Sequence, residues 1–288
     1  MTKGIILAGG TGSRLYPLTA SLNKHQLPVF DKPMIYYPLS LLMLAGIRDL
    51  AIVSSESDLI GFKNLFGDGS KFGISINYIK QARPDGISDA LLCVEEFVDQ
   101  EDCMVVLGDN IFYGDQMGTL LSNCHASKYA ANIFAIQVDD PQRYGVICFD
   151  EDNEIIDIVE KPLNPKSNWA ICGLYHLDNS CFKRARGLSK SRRNELEITD
   201  LIKSYLDTKD LNVVKLGRGY SWFDVGTIEA LFAASQFISI VQGRQNVSIG
   251  AIEEIALAKN YISTSECEEL IRQMPDSYYS DILKKSSL

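Results

Sequence analysis

Continuous apolar runs constrain the fold of this chain more than any other feature of its sequence. Gly4–Ala8 is apolar throughout, without the alternation of a half-exposed strand, and Leu50–Ser54 repeats the pattern. Such runs are typical of strands buried on both faces of a parallel sheet. Two further strand-like runs follow at Met104–Leu107 and Asn132–Val138. Segments with helical spacing lie between these runs, at Tyr37–Ala45, Asp58–Phe66 and Ser88–Phe97.

This alternation of strands and helices predicts an α/β fold with a mostly parallel central sheet and helices on both faces. The ligands of such sheets bind at the carboxyl ends of the strands. We therefore expect functional residues directly after Ala8, directly after Leu107 and near Ile79.

The second half of the chain has a different pattern. Strands are predicted at Val146–Phe149, Ile155–Glu160, Trp169–Leu177 and Asn212–Leu216. Helices are predicted at Ile198–Leu206 and Ile228–Val241. We predict one α/β domain over residues 1–241, with halves at 1–140 and 141–241, and a helical extension over residues 242–288.

The charge and the cysteines limit the environment and the partners of the chain. The formal net charge is −9, and such a protein repels nucleic acid and anionic membranes, so we expect neither as a partner. No segment has the roughly 18 apolar residues that a membrane span needs, and no signal-peptide pattern is visible. The seven cysteines form no CxxC pair, so we expect free thiols and a cytoplasmic location.

A glycine-rich loop, Leu7–Leu15 (LAGGTGSRL), follows the first apolar run. Three glycines allow backbone N–H groups to approach phosphate oxygens closely. The loop lacks the third glycine of a dinucleotide-binding loop, which argues against a nicotinamide oxidoreductase, and it lacks the Gly-Lys-Ser/Thr of a P-loop. Arg14 and Lys24 instead provide cations that suit a triphosphate. The alternative is an ordinary turn between a strand and a helix.

Two aspartates are candidate metal ligands. Asp109 ends an apolar run, and Asp224 lies in a segment rich in glycine and aromatic residues. Mg²⁺ commonly takes one or two carboxylates together with phosphates and water. Each aspartate has a structural alternative, as the capping residue of a following helix.

A third motif, Glu160-Lys161-Pro162, suits a sugar phosphate, since Glu160 can bind hydroxyls and Lys161 a phosphate. The alternative is a pair of solvated charges at a strand edge.

Together these motifs resemble the short-form glucose-1-phosphate thymidylyltransferases over nearly the whole chain. The order and spacing of the matching strings carry the resemblance, and they are Lys3–Arg14, Asp31–Ser40, Leu44–Arg48, Pro84–Gly86, Leu107–Gly114, Arg143–Val146, Glu160–Pro162, Pro165–Asn168, Glu195–Asp200 and Gly217–Tyr220.

The resemblance implies a Rossmann-like nucleotide-diphospho-sugar transferase fold, with a nucleotide-binding first half and a sugar-phosphate-binding second half. It also implies Mg²⁺-assisted transfer of a thymidylyl group from dTTP to glucose 1-phosphate, by in-line attack on the α-phosphorus. Members of this family are usually homotetramers with a second nucleotide site at a subunit interface.

The resemblance also assigns roles to residues of this chain. Nucleotide binding falls to Leu7, Gly9, Gly10, Thr11, Gly12, Ser13, Arg14, Gln81, Gly86 and Asp109. Sugar-phosphate binding falls to Gly145, Glu160, Lys161, Tyr175 and Arg193. The catalytic cations would be Arg14, Lys24 and Lys161, and the Mg²⁺ ligands Asp109 and Asp224. The regulatory site would include Leu44, Tyr113, Gly114, Arg218 and Glu254.

Some positions depart from the family pattern, namely His25, Ser88, Asp89, Asn194 and Ile252. The first four lie near the expected active site and Ile252 lies near the expected regulatory site. A uridylyltransferase, or an enzyme that uses a modified hexose 1-phosphate, therefore stays open, because one methyl group is worth only about 1–3 kcal/mol of discrimination. A non-catalytic sensor of sugar nucleotides is a third alternative, against which the presence of both Asp109 and Asp224 argues.

Overall fold

The structure is a computed structural model that describes residues 2–83 and 85–286. Pro84 of the matching string Pro84–Gly86, the first residue of the predicted domain 1–241 and the last two residues of the predicted extension 242–288 lie outside the described residues. The strands are β1 (Lys3–Leu7), β2 (Pro28–Val29), β3 (Lys32–Pro33), β4 (Asp49–Ser54), β5 (Ser75–Lys80), β6 (Cys103–Leu107), β7 (Asn110–Gly114), β8 (Ala131–Gln137), β9 (Gly145–Phe149), β10 (Ile155–Glu160), β11 (Trp169–Leu177), β12 (Leu211–Lys215) and β13 (Tyr220–Asp224).

The α-helices are α1 (Tyr36–Leu44), α2 (Glu56–Phe66), α3 (Ile87–Leu92), α4 (Glu95–Val98), α5 (Met117–Ser122), α6 (Ser180–Arg186), α7 (Ile198–Asp207), α8 (Ile228–Gln245), α9 (Ile252–Ala258), α10 (Thr264–Gln273) and α11 (Tyr278–Ser286). None of the helices in the described ranges is both long and apolar enough to cross a membrane.

A nine-stranded sheet forms the centre of the molecule. Its main path runs β10-β9-β11-β6-β1-β4-β5, and β8 pairs with both β11 and β12. The strands β6, β1, β4 and β5 are parallel neighbours, so the predicted α/β fold with a mostly parallel centre is confirmed. The long strand β11 runs antiparallel to β6 and joins this centre to the predicted β9–β10 hairpin.

Alternate residues of β1 explain why its sequence is apolar throughout. Ile6 packs on one face of the sheet with α1, α2 and α5, whereas Ile5 packs on the other face with α3, α6 and α7. Both side chains are fully buried. The prediction of helices on both faces is therefore confirmed.

Two local features differ from the prediction. Ser88–Phe97 was expected to be one helix, but α3 ends at Leu92 and α4 begins at Glu95, because Val94 leaves the helical region at φ −103° and ψ 5°. The segment that ends at Asp224 was not predicted to be a strand, but it forms β13, which pairs antiparallel with β7 in a separate two-stranded sheet and is followed by the predicted helix, α8.

The C-terminal helices pack on the rest of the chain. Ile252 and Ala256 of α9 are fully buried in the core that contains α1. Lys32 reaches this region too, where its Nζ donates to the Ile249 carbonyl at 2.9 Å and pairs with Asp31 at 2.6 Å. The predicted boundary between residues 241 and 242 falls inside α8, and the domain division stays a prediction.

Candidate active site

The glycine loop follows β1 and leads into a single 3-10 turn, Ser13–Leu15, rather than an α-helix. Gly12 has φ +60°, and a Cβ at this position would lie 2.9 Å from Thr19 Cγ2, so only glycine fits there without strain. Leu15 is fully buried and anchors the turn. The segment is therefore not a turn into an α-helix, and its role as a phosphate cradle stays a prediction.

The first of two cavities, here called the loop cavity, lies at the carboxyl ends of β1, β5 and β6. It holds about 310 Å³, and its lining includes Leu7, Gly9, Gly10, Arg14, Lys24, Gln81, Gly86, Asp109 and Arg193. Gly9, Gln81 and Asp109 come from the three strand ends at which functional residues were expected, whereas Arg193 comes from the segment before α7. Thr11 and Ser13 are exposed and lie outside this lining, although the resemblance assigns them to the nucleotide.

The second cavity, here called the inner cavity, lies next to the first and holds about 220 Å³. The predicted residues in its lining are Arg14, Asp109, Gly145, Glu160, Lys161, Tyr175 and Asp224. Arg14 and Asp109 line both cavities, so a ligand in one cavity would approach a ligand in the other at these two side chains. Arg193, which the resemblance assigns to the sugar phosphate, lines the loop cavity instead.

Asp109 is held by a hydrogen-bonded frame at the end of β6. Lys24 Nζ pairs with its Oδ2, Asn110 Nδ2 donates to its Oδ1 at 2.9 Å, and Val225 N donates to its carbonyl at 2.9 Å. Burial raises the pKa of the Asp109 carboxyl group, but Lys24 and the other charged and hydrogen-bonding neighbours together lower it by more. The pKa of Asp109 therefore lies well below its usual range. Asp109 is followed by β7, so its interpretation as a helix cap is wrong.

Asp224 ends β13 and lies opposite Asn110 in the strand register. Burial raises the pKa of Asp224, and the negative charge of Asp109 raises it further, while Lys24, Arg14 and Arg143 act in the opposite direction. Thr227, not Asp224, caps α8, since its side chain accepts from Ala230 N at 3.2 Å. The helix-cap interpretation is therefore wrong for Asp224 as well.

The donor set of Asp109 and Asp224 fits Mg²⁺. Across residues 2–83 and 85–286 no group of three or more His, Cys, Asp or Glu side chains could hold a metal. Mg²⁺ needs fewer protein ligands, because it keeps waters and binds substrate phosphates. Two like-charged carboxylates line one cavity, and the charge of Asp109 raises the pKa of Asp224, so a cation is favoured there.

An ion-pair cluster joins the two cavities on their outer side. Arg193 contacts Glu160 at 3.3 Å and Glu197 at 3.6 Å, and it also pairs with Glu195. Thr199 Oγ1 donates to Glu160, so this carboxylate is oriented from two sides. The interpretation of Glu160 as a solvated strand-edge charge is wrong, because its side chain lines the inner cavity.

Lys161 lies in the left-handed region at φ +41°, which is unusual for a residue with a side chain. Its side chain lines the inner cavity. A strained backbone conformation of this kind persists only where the surrounding structure holds it, and such conformations are common at functional sites.

His25 is buried beneath the site rather than in it. Its Nδ1 lies 2.7 Å from Asn23 Oδ1, and its ring packs against Gly108. Burial, followed by the charge of Lys24, lowers the pKa of His25 to about 3, so the ring is neutral at pH 7. His25 lines neither cavity and supports the Asp109 strand end from behind.

Other departures from the family pattern have local explanations. Ser88 is fully buried and donates to the Glu197 carbonyl at 3.1 Å. Asn194 has φ +62°, a conformation that asparagine tolerates better than most residues, so it can stand where glycine is usual. Ile252 is fully buried at the start of α9.

The sequence reasoning missed Arg143 and Trp222, which also line the inner cavity. Arg143 bridges Asp140 at 2.8 Å and Asp224 at 3.6 Å. Trp222 Nε1 donates to Asn110 Oδ1 at 2.6 Å. Arg143 begins the matching string Arg143–Val146, which also contains the predicted sugar-phosphate residue Gly145. This closeness in sequence is the signal that could have identified Arg143.

The five predicted regulatory residues lie outside both cavities. They are distributed over the end of α1, strand β7, the turn before β13, and α9, at Leu44, Tyr113, Gly114, Arg218 and Glu254. These elements adjoin, since α1 packs on both α9 and β7, and β7 pairs with β13. Tyr113 also donates to Gln245 at the end of α8.

Comparisons with known proteins agree with this geometry. Residues 3–240 match the Nucleotidyl transferase family. A glucose-1-phosphate thymidylyltransferase from Neisseria meningitidis serogroup A is 49% identical over 281 residues, which cover 98% of each chain. A Bacillus anthracis crystal structure, assigned as a glucose-1-phosphate thymidylyltransferase in complex with sucrose, is 39% identical with a TM-score of 0.77, covering 82% of this chain and 95% of that one.

A UDP-glucose pyrophosphorylase complexed with UDP-glucose has a TM-score of 0.74 at 24% identity, covering 85% of this chain and 100% of that chain, and this likeness shows the shared fold alone. The predicted resemblance and the Rossmann-like transferase fold are confirmed. The chain belongs to the nucleotidyl transferase family, with relatives named glucose-1-phosphate thymidylyltransferase.

Proposed function

We propose that this chain transfers a thymidylyl group from dTTP to glucose 1-phosphate and releases pyrophosphate. The observation that carries the proposal is the pair of adjoining cavities that share Arg14 and Asp109. One cavity has a glycine cradle and the other has Glu160 and Lys161, which suits a nucleotide beside a sugar phosphate. The names of the relatives support this pairing of substrates.

In this proposal the protein positions two anions and reduces their repulsion. A phosphate oxygen of glucose 1-phosphate forms a bond to the α-phosphorus of dTTP, while the bond from that phosphorus to pyrophosphate breaks. The second pKa of a phosphate monoester is about 6, so the nucleophile is already a dianion at neutral pH and needs no general base. Arg14, Lys24 and Lys161 provide the positive charge along this path.

Asp109 and Asp224 would hold Mg²⁺, which when bound supplies further positive charge to the phosphates. Lys24 pairs with Asp109 and keeps this carboxylate ionised. Asp224 has the longer contact with Arg143. We propose that Thr11, Gly12 and Ser13 hold the loop backbone near the phosphates and that Gly145 and Tyr175 shape the sugar-phosphate side. Arg193 would act on that side through its contact with Glu160.

A pyrophosphate-release assay tests the proposal. The panel pairs dTTP, UTP and CTP with several hexose 1-phosphates, each with and without Mg²⁺. We expect turnover with dTTP and glucose 1-phosphate that depends on Mg²⁺. Preference for UTP or for a modified hexose would replace the substrate but keep the reaction, whereas no turnover with any pair would favour a sugar-nucleotide sensor.

We also propose a homotetramer in the cytoplasm. No cysteine in the described residues forms a disulfide bond, which suits a reducing compartment. Helix α8 exposes an apolar face that contains Ile228, Phe232 and Ile240, and a face of this kind is typical of subunit contacts. Light scattering of the purified protein would give a mass of four chains. A monomer would remove both the assembly and the interfacial regulatory site from the proposal.

A further inference from the structure

The side-chain amide of Gln81 has a defined orientation in the loop cavity. Gln81 directly follows β5, and its Nε2 donates to Asp89 Oδ2 at 2.9 Å. The same nitrogen lies 3.5 Å from the Gly86 carbonyl oxygen. The other end of the amide, Oε1, lies beside Gly9, 3.1 Å from the position that a Cβ would take there. Gln81 and Gly9 both line the cavity.

This orientation follows from the chemistry of the neighbours. A carboxylate accepts hydrogen bonds and donates none, so Asp89 selects the donor end of the amide. The Gly86 carbonyl is an acceptor as well, and it selects the same end. With Nε2 directed to these two oxygens, Oε1 is the group that Gln81 offers to a ligand.

Asp89 is itself held in place. It lies in the first turn of α3, where Ser88 N donates to the Leu196 carbonyl at 3.2 Å and Ser88 Oγ donates to the Glu197 carbonyl at 3.1 Å. Gly86, at φ +113°, packs so closely on Leu196 that a Cβ would come within 2.5 Å of its carbonyl oxygen. The backbone that carries Asp89 is therefore anchored to the segment that follows Arg193.

We propose that Asp89 is a positioning residue for base selection, which fixes Gln81 as a hydrogen-bond acceptor and so favours nucleotides whose base presents an imide N–H. The inference rests on the proposed function, in which the loop cavity takes the nucleotide. Thymine and uracil carry an N3–H that can donate to Gln81 Oε1. Cytosine carries a lone pair at N3, which would face the Gln81 oxygen without a hydrogen between them.

The test is a double-mutant cycle read as a ratio of specificities. We would measure kcat/KM with dTTP and with dCTP, at saturating glucose 1-phosphate, for the wild type, Asp89→Asn, Gln81→Ala and the double variant. Asparagine keeps the shape of Asp89 but can donate as well as accept, so the Gln81 amide can turn. Glu96→Gln is the matched control, because it removes one negative charge from an exposed position on the neighbouring helix α4.

We expect Asp89→Asn to lower the dTTP to dCTP ratio about tenfold, as the loss of one oriented hydrogen bond predicts. The ratio should stay within about twofold in Glu96→Gln, and Asp89→Asn should have no further effect in the Gln81→Ala background. A merely structural role for Asp89 would lower both kcat/KM values equally and leave the ratio unchanged.

Three results would overturn the inference: an unchanged ratio in folded Asp89→Asn, an undiminished effect in the Gln81→Ala background, or a wild type that does not discriminate dTTP from dCTP. If Asp89→Asn does not fold, Asp89→Ser is judged by the same criteria. If the wild type turns over no substrate pair, the proposed function fails, and the same cycle is then measured as calorimetric affinities for dTTP and dCTP.

Discussion

At the scale of single residues, Asp109 and Asp224 line the same cavity but differ in how their charges are balanced. Lys24 pairs directly with Asp109, whereas Asp224 has a 3.6 Å contact with Arg143. Burial and the neighbouring Asp109 raise the pKa of Asp224, so its ionised form is the one that most needs a cation. Neither side chain belongs to the three apolar core clusters of the described residues.

This difference predicts that Asp224→Asn lowers kcat/KM by about 100-fold or more while the protein remains folded, because the proposed Mg²⁺, whose positive charge neutralises the phosphates, loses a carboxylate ligand. The measurement is steady-state pyrophosphate release together with thermal unfolding. Asp157→Asn is the control, since Asp157 is an exposed carboxylate on β10 whose 3.2 Å partner is Lys203. Near-normal Mg²⁺-dependent turnover of Asp224→Asn would remove Asp224 from the proposed metal site.

The sequence identified both aspartates but could not distinguish a ligand from a helix cap. Each stands after an apolar or aromatic segment, and a cap looks the same until the next element is known. The structure excludes a helix cap in both cases, because β7 follows Asp109 and Thr227 caps α8, and the metal-ligand role stays a prediction. Arg143 was missed for a related reason, since its contact with Asp224 joins positions that are far apart in the chain.

At the scale of elements, a buried hydrogen bond joins α11 to α9. Tyr279 donates its hydroxyl to Glu253 Oε2 at 2.5 Å. Glu253 is only 2% exposed, and burial raises its pKa. Removal of the Tyr279 hydroxyl would take one hydrogen bond from the buried Glu253 carboxylate. The loss of a hydrogen bond to a buried charged group destabilises the folded state.

Tyr279→Phe should therefore lower the free energy of unfolding by about 1–3 kcal/mol. Tyr278→Phe is the matched control, because the adjacent Tyr278 is 54% exposed, and its substitution should change stability by less than about 0.5 kcal/mol. Urea unfolding of both variants measures the difference. Equal effects of the two substitutions would show that the Tyr279–Glu253 hydrogen bond does not hold α11.

Elements with regular patterns were predicted well, and elements without them were not. The bounds of β10 and β11 agree with the alternating and apolar runs that predicted them. The break between α3 and α4 carries no glycine or proline, so the sequence gives no sign of it. Strand β13 was hidden in a glycine-rich and aromatic segment, and its partner β7 lies about a hundred residues earlier in the chain.

At the scale of the whole molecule, a buried histidine couples folding to pH. His176 is 3% exposed, and burial, followed by the charge of His125, lowers the pKa of His176 from 6.5 to about 4. The unfolded chain takes up a proton below pH 6.5, whereas the folded chain does so near pH 4. The contribution of neutral, buried His176 to the free energy of unfolding is therefore fully present above pH 6.5 and is lost as the pH falls towards 4.

Between pH 7 and about pH 5, the wild type should lose roughly 2 kcal/mol more unfolding free energy than His176→Gln. Chemical denaturation at several pH values measures this difference, with each protein compared to its own value at pH 7. Parallel pH dependences for the two proteins would contradict the neutral, buried state of His176.

The central claim about the whole molecule is that two adjoining cavities bring a sugar phosphate to the α-phosphorus of a nucleotide. The most direct measurement follows ¹⁸O by ³¹P NMR, starting from glucose 1-phosphate with all phosphate oxygens labelled and unlabelled dTTP. The account predicts dTDP-glucose that retains every label and pyrophosphate that carries none. Label in the pyrophosphate, loss of label from the product, or the absence of dTDP-glucose would contradict it.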